Sequence, residues 1–435
     1  LKLKTFFNEN TVLRVVYLLV FLFVIFNDAI YSPDTRSYIH ALPYRHPGYV
    51  LFLKTFKVLF SSVFDLSVLV FQAGFGLLAV HFFFKTTAKI FNLNTLSKVI
   101  VVALLLFPFF NPLFVANNIC PEGFSYPLYL FFIGSSLRFI QHDNYKILWA
   151  ALVLYVLLSL TRGQFIITPL IFGVAYILKN KKHFFKKPIL IKSLLLIFIP
   201  AVVVVADSSY HKLKDGIFGS TPFGFVAASG SAFFVSEQTD SHLISNKDDK
   251  AIFNLCYNKL SNENLLLSSQ SNLESYSAYY DFFHNHVPPI CNRTVHNLGK
   301  AYYYDKLIKT NTIESADAQA FYNIEKTCKN ITLILIENNF SKWIKLYFAN
   351  ISHGFFSPIL LILVIISLLF SSIKLLYNHK NYLLLFICSA LTLSNAALIA
   401  FASHSIMRYL FYNYVLIFLI FVIIISKLIK NGIKH

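Results

Sequence analysis

The residues best suited to chemistry crowd into one stretch, YSPDTRSYIHALPYRHPGY, from Tyr31 to Tyr49. A Ser-Pro-Asp turn presents Asp34 in a restrained loop. A carboxylate held there can serve as a general base if its position suits a substrate hydroxyl. It can equally be a plain turn residue that accepts backbone hydrogen bonds. Arg36, Arg45 and His46 follow within twelve residues of Asp34, and Tyr49 closes the stretch. Guanidinium groups present several donors in a planar fork and suit a phosphate. They can also snorkel to lipid headgroups. Glu122, in NICPEGFSYPLYLFF, stands at the start of an apolar run, where a carboxylate favours a helix N-terminus. Arg162 lies in SLTRGQF, between two apolar runs. Arg408 and Tyr409 lie in SHSIMRYLFYNY, with His404 one turn earlier. The expected chemistry is anion binding beside a carboxylate base, with Arg36, Arg45, His46, Tyr49, Glu122, Arg162, His404, Arg408 and Tyr409 contacting substrate.

The elements that must position these residues are apolar. Of 435 residues, 56% are hydrophobic and 13% charged, with 47 phenylalanines. A soluble domain carries about 25% charged residues. Apolar runs at roughly 11–30, 62–84, 99–117, 123–140, 147–161, 164–178, 189–206, 353–373, 382–402 and 409–426 predict about ten transmembrane helices in an all-α polytopic fold. The run from Val12 to Ile30 reads as a retained span and not as a cleaved signal. Pro108 and Pro112 predict a kink in the third span. Pro47 suits the first turn of a helix, so RHPGYVLFLKTFKVLF predicts an interfacial helix over 47–60.

The net charge of +18 would suit a nucleic-acid binder, but its distribution argues for no nucleic acid. Lys2, Lys4, Lys85, Lys89, Lys98, Arg138, Lys146, Lys179, Lys181, Lys182, Lys186, Lys187, Lys192, Lys374, Lys380, Lys427, Lys430 and Lys434 all fall on one side of a ten-span arrangement. The positive-inside rule makes that side the cytoplasm, with both termini there. The Asp34 loop is then outside. So is a largely polar segment, 207–352, expected to be a mainly helical external domain packed on the bundle. The remaining portions are an N-terminal bundle over 1–206, holding the first external loop at 31–49, and C-terminal helices over 353–435. Cys120, Cys256, Cys291 and Cys328 fall outside, leaving one or two disulfides open, with no pairing chosen; Cys388 lies in a span.

The Asp34 loop, RHPGY leading into an interfacial helix, PEGFSYPLYLFF, TRG after a span and a late MRY together resemble the multispan glycosyltransferases of the GT-C class. The resemblance implies a transferase of the bacterial surface-polysaccharide type, acting in lipopolysaccharide or O-antigen modification at the inner membrane, with a periplasmic active site. It implies a polyprenyl-phosphate-linked sugar donor, a glycan or lipid-linked acceptor, the lipid bilayer as surroundings, and a donor synthase and flippase as partners. By position, Asp34 matches the catalytic aspartate of the first loop, Arg45, His46, Pro47 and Gly48 match the start of the interfacial helix, Glu122 matches an acid before the fourth helix, and Arg408 matches a late arginine for the lipid phosphate. Many relatives carry a second acid beside the aspartate; here Thr35 follows Asp34, so no paired acidic motif supports a divalent metal, and no cofactor is implied with certainty.

Two rivals share parts of this pattern. An O-antigen or polysaccharide polymerase would place arginines in its large external loop, whereas 207–352 contains only Arg293. A lipid or glycan flippase would line a path with deep ionisable residues. Here Asp65, His81 and Arg14 sit near span ends.

Overall fold

The apolar runs fold as helices in the computed structural model, which describes residues 9–270 and 275–432. Lys2, Lys4 and Lys434 lie outside the described residues. The helices are α1 (Glu9–Ile25), α2 (Thr35–Ile39), α3 (Pro47–Leu59), α4 (Phe64–Ile90), α5 (Thr95–Leu106), α6 (Glu122–His142), α7 (Tyr145–Thr161), α8 (Thr168–Asn180), α9 (Lys187–Asp215), α10 (Gly224–Val235), α11 (Lys247–Asn262), α12 (Tyr276–Pro288), α13 (Asn297–Leu307), α14 (Ile313–Asn338), α15 (Phe340–Gly354), α16 (Pro358–Leu376), α17 (Leu383–Ala402), α18 (Met407–Leu410) and α19 (Tyr414–Gly432). No strand occurs among the described residues, where the one β-type contact is an isolated bridge between Ile30 and Asn118.

Among the described residues, six segments are long and apolar enough to cross a membrane: Ser61–Ile90, Gly163–His183, Lys187–Asp215, Pro358–Leu376, Lys380–Ala402 and Met407–Ile429. The other predicted spans also fall on helices, but α1, α5 and α7 have 17, 12 and 17 residues. Helix α6 is enclosed by its neighbours along most of its length. In contrast, α9 exposes Phe198, Val202 and Val205, and α16 exposes Ile359, Ile362 and Ile366. Such uncovered apolar faces are what a helix bordering lipid presents. The protein is therefore built to sit in a membrane.

The third predicted span is shorter than its hydropathy suggests. Helix α5 stops at Leu106, and a single 3-10 turn covers Phe107–Phe109. Pro108 has no N–H to continue the ladder, and its ring crowds the preceding turn. The chain then folds back, with Val115 N–H donating to the Pro108 carbonyl at 2.9 Å. Buried Gln72 of α4 holds this return loop by donating to the Ala116 carbonyl at 2.9 Å.

The bundle has two chemically distinct ends. Glu9 of α1 pairs with Lys85 at 3.0 Å and with Lys98 at 2.7 Å. Asp143, just past α6, pairs with Lys192 at 2.9 Å. The Lys181 ammonium caps α16 by donating to the Leu375 carbonyl at 3.1 Å. The opposite end of α6 begins with Glu122, and arginines gather there.

The predicted boundary at 206/207 falls inside α9, which continues to Asp215. Asp207, His211 and Asp215 are spaced by four and share one helix face. Asp207 and His211 are buried and Asp215 is half-buried, its Oδ2 accepting from His211 Nδ1 at 2.7 Å, so the polar turns remain helical. Beyond α9, helices α10 to α15 build a second hydrophobic core around Phe233, Phe253, Ile324 and Trp343. Helices α10 and α15 pack that core against α17. Tyr347 seals the junction, its hydroxyl donating to the Ala397 carbonyl at 3.1 Å. All five cysteines are free and buried, so the disulfides left open by the sequence do not form.

Candidate functional site

Five charged side chains from distant parts of the chain meet at one end of the bundle. Pro47 starts α3 at its first turn, with His46 just before it. That start lies close against the end of α7. A Cβ on Gly48 would come within 2.5 Å of Thr161 Oγ1 and 2.8 Å of Thr161 N, and one on Gly163 within 2.8 Å of His46 Nε2. The glycines of RHPG and TRG thus let two segments interlock, which brings Arg45 and Arg162 to the same cavity.

Arg45 Nη2 donates to Asp34 Oδ1 at 2.7 Å, and its Nε donates to Ser37 Oγ at 2.7 Å. The guanidinium lies between the Tyr38 and Tyr44 rings, 4.6 and 4.7 Å from their centroids. Arg408, at the start of the last apolar segment, bridges two carboxylates. Its Nη1 donates to Asp34 Oδ2 at 2.9 Å, while its Nε and Nη2 donate to Glu122 at 2.5 and 3.2 Å. Arg162 Nη1 donates to Glu122 Oε1 at 2.5 Å, and its Nε donates to Gln164 Oε1 at 2.5 Å. Gln164 in turn donates to Asn395 Oδ1 at 3.2 Å and to the Tyr409 carbonyl at 3.1 Å. Three guanidiniums against two carboxylates leave one net positive charge. Buried ion pairs need all partners satisfied, and one surplus cation invites one anion.

The cluster lines a cavity of about 410 Å³. Apolar side chains line the same cavity: Ile166, Ala227, Leu398, Ile399 and Ala402. Thr221 and Phe223 reach in from the segment after α9. Thr221 is pinned there by Asp207, which accepts from its N–H at 2.7 Å and its hydroxyl at 2.9 Å. Phe223, Tyr44, His296 and Phe321 form an aromatic cluster, with Tyr44 5.4 Å from Phe223 and 5.1 Å from Phe321. The cavity lining therefore combines charged, apolar and aromatic side chains, with Tyr44 and Phe223 as its members of the aromatic cluster.

Of the residues singled out in the sequence, Asp34, Arg45, His46, Glu122, Arg162, Arg408 and Tyr409 line this cavity. Three do not. Arg36 is exposed, because α2 turns it away from Asp34. Tyr49 is fully buried, its hydroxyl donating to Gln72 Oε1 at 3.0 Å. His404 turns toward α12, where its Nδ1 lies 3.1 Å from His284 Nδ1. Tyr38, Tyr44 and Gln164 lie within stretches the sequence already marked, whereas Thr221, Phe223 and Asn395 carried no local signal. No group of three or more His, Cys, Asp or Glu side chains among the described residues is placed to hold a metal ion. Arg408 occupies the space between Asp34 and Glu122 instead.

The electrostatics alter two expected roles. Burial would raise the Asp34 carboxyl, but the Arg45 and Arg408 guanidiniums outweigh it and hold it below the ordinary carboxylate range. In this state Asp34 is ionised, and each of its oxygens accepts from one guanidinium. Burial lowers the His46 imidazole, so it is a neutral hydrogen-bonding group at neutral pH and not an added cation. Comparison with protein-family models, with curated proteins and with solved structures gives no match to this chain.

Proposed function

We propose that the protein is an integral-membrane glycosyltransferase of the GT-C type. It has about ten membrane-crossing helices and sits in a bacterial inner membrane. Both termini are cytoplasmic and the arginine-lined cavity is periplasmic. It transfers a sugar from a polyprenyl-phosphate carrier to a glycan or lipid-linked acceptor. The observation that carries this reading is the mixed lining of one cavity, which Arg45, Arg162 and Arg408 share with Leu398, Ile399 and Ala402. An amphiphile with a phosphate head and a hydrocarbon tail needs both kinds of surface at once. The aromatic side chains of Tyr44 and Phe223 suit a sugar ring, whose C–H faces pack on aromatic surfaces.

In the reaction the acceptor hydroxyl oxygen attacks the anomeric carbon, and its proton passes to Asp34. The bond from that carbon to the phosphate oxygen breaks, and its electron pair leaves on polyprenyl phosphate. One direct displacement inverts the anomeric carbon. The guanidiniums stabilise negative charge as it grows on the leaving phosphate. In vesicles supplied with a polyprenyl-phosphate sugar, Asp34→Asn is expected to lower transfer about 10²–10⁴-fold at unchanged abundance. Full transfer by that variant would remove Asp34 from the chemistry. Mass analysis of surface glycans from cells with and without the protein identifies the sugar, and identical glycans would refute the activity.

A further inference from the structure

The arrangement of donors around Asp34 poses a difficulty for any base. A general base must be basic enough to take the incoming proton, and cations held against its oxygens oppose that. Here each Asp34 oxygen accepts from a guanidinium, Oδ1 from Arg45 and Oδ2 from Arg408. We infer that Asp34 is masked in the free protein and that the phosphate of the bound donor unmasks it by drawing Arg408 and Arg45 onto itself. This rests on the lipid-phosphate reading above and adds to it the control of the base.

Which contact yields follows from the geometry. Each of the three Arg408 nitrogens already donates to a carboxylate, two to Glu122 and one to Asp34, which leaves one further N–H on each of Nη1 and Nη2. A phosphate that draws this guanidinium to itself competes with the carboxylates for its charge. Glu122 is nearly inaccessible, with 5% of its side chain exposed, and is held by Arg162 as well. Asp34 is 34% exposed and keeps one contact to each arginine. Asp34 is the partner that gives way. The charged and titratable groups facing it are Arg45 from the segment before α3, Arg408 and Tyr409 from α18, Glu122 across Arg408 on α6, Tyr38 on α2, which Asp34 immediately precedes, and Cys120 in the loop before α6. Once the guanidiniums turn to phosphate, Asp34 stands in a partly buried site beside a new anion. Burial and a like charge both favour its protonated form. It then accepts the proton from the acceptor hydroxyl. When the lipid phosphate leaves, Arg408 returns and the proton goes to water. The base is thereby effective only when the donor is loaded.

The test uses the full-length protein in detergent micelles and methyl farnesyl phosphate. This phosphodiester carries one negative charge and does not itself titrate near pH 5. Calorimetric titration at pH 5 in two buffers of different ionisation enthalpy reports the protons taken up per ligand bound. The expected result is net proton uptake by the wild type and none by Asp34→Asn. That variant should also bind the diester about tenfold more tightly, because the competing carboxylate is gone. Binding without proton uptake in the wild type overturns the unmasking and leaves the lipid-phosphate reading standing. Weaker binding by Asp34→Asn, with its thermal transition unchanged, does the same. If neither form binds the diester, or farnesol binds equally well, both the unmasking and the lipid-phosphate reading fall. The wild-type proton count needs no variant, so a folding defect in Asp34→Asn does not blunt the test.

Discussion

Glu122→Gln is the most informative single perturbation of the charge cluster. The side chain is 5% exposed and accepts from Arg162 Nη1, Arg408 Nε and Arg408 Nη2 at 2.5, 2.5 and 3.2 Å. Glutamine keeps the shape and one acceptor oxygen, but it turns an N–H₂ toward a guanidinium. The cluster of three cations and two anions becomes three and one, so its net charge rises from one to two. Removing one partner of a buried pair costs about 3–5 kcal/mol, a large share of the roughly 5–15 kcal/mol that holds a typical domain. Thermal unfolding of purified protein in micelles is the direct assay. Adding Arg162→Gln to Glu122→Gln should recover part of the loss, because the second change removes a stranded cation. The double-mutant coupling should exceed about 1 kcal/mol. If Glu122→Gln unfolds at the wild-type temperature, or the two changes simply add, the cluster is not a coupled buried network.

Gly48→Ala would press a methyl group against the α7 backbone, 2.8 Å from Thr161 N and 2.9 Å from the Leu160 carbonyl carbon. It should lower stability by about 1–3 kcal/mol and shift Arg45; an unchanged thermal transition would contradict that packing. The Asp34 carboxyl is held below its unfolded value, so the unfolded chain binds the extra proton and stability rises with pH. The contribution is complete above the unfolded carboxylate value near ~4 and is lost as pH falls through the lower folded value. An acid titration of the unfolding midpoint should therefore fall less steeply in Asp34→Asn than in the wild type, and identical acid limbs would count against the pairing. The five buried thiols should resist maleimide in the folded protein and all react after denaturation, with no change of gel mobility on reduction; a mobility shift would reveal a disulfide.

Local patterns were legible where neighbours in sequence are neighbours in space. Pro47 marked the start of α3, and alternating buried and exposed positions along PGYVLFLKTFKVL followed from its amphipathic character. The helical nature of every predicted span was readable from apolar runs. The stop of α5 was not, because hydropathy carries no information on whether a freed carbonyl finds a partner beyond Pro108. The site was legible as a set of types but not as a set of contacts. Arg408 and Asp34 are 374 positions apart, and nothing in either neighbourhood names the other. Arg36 and Tyr49 lie off the cavity because residues within one short stretch point in different directions once α2 and α3 form. His404 lies off it because its partner, His284, is in the polar segment, where no motif stood out.

The same 374-position span has a consequence for how the molecule is made. Glu122 and Arg162 emerge early and can pair as soon as α6 and α7 are together. Asp34 and Arg45 can pair sooner still, while Arg408 arrives only with the last apolar segment. Until then the nascent chain carries an incomplete cluster, with Glu122 lacking two of its three guanidinium contacts. Contacts of such long range close late in folding. Insertion of Met407–Ile429 is thus the step at which the charge cluster becomes whole, and a ribosome stalled before it leaves a product without a finished site.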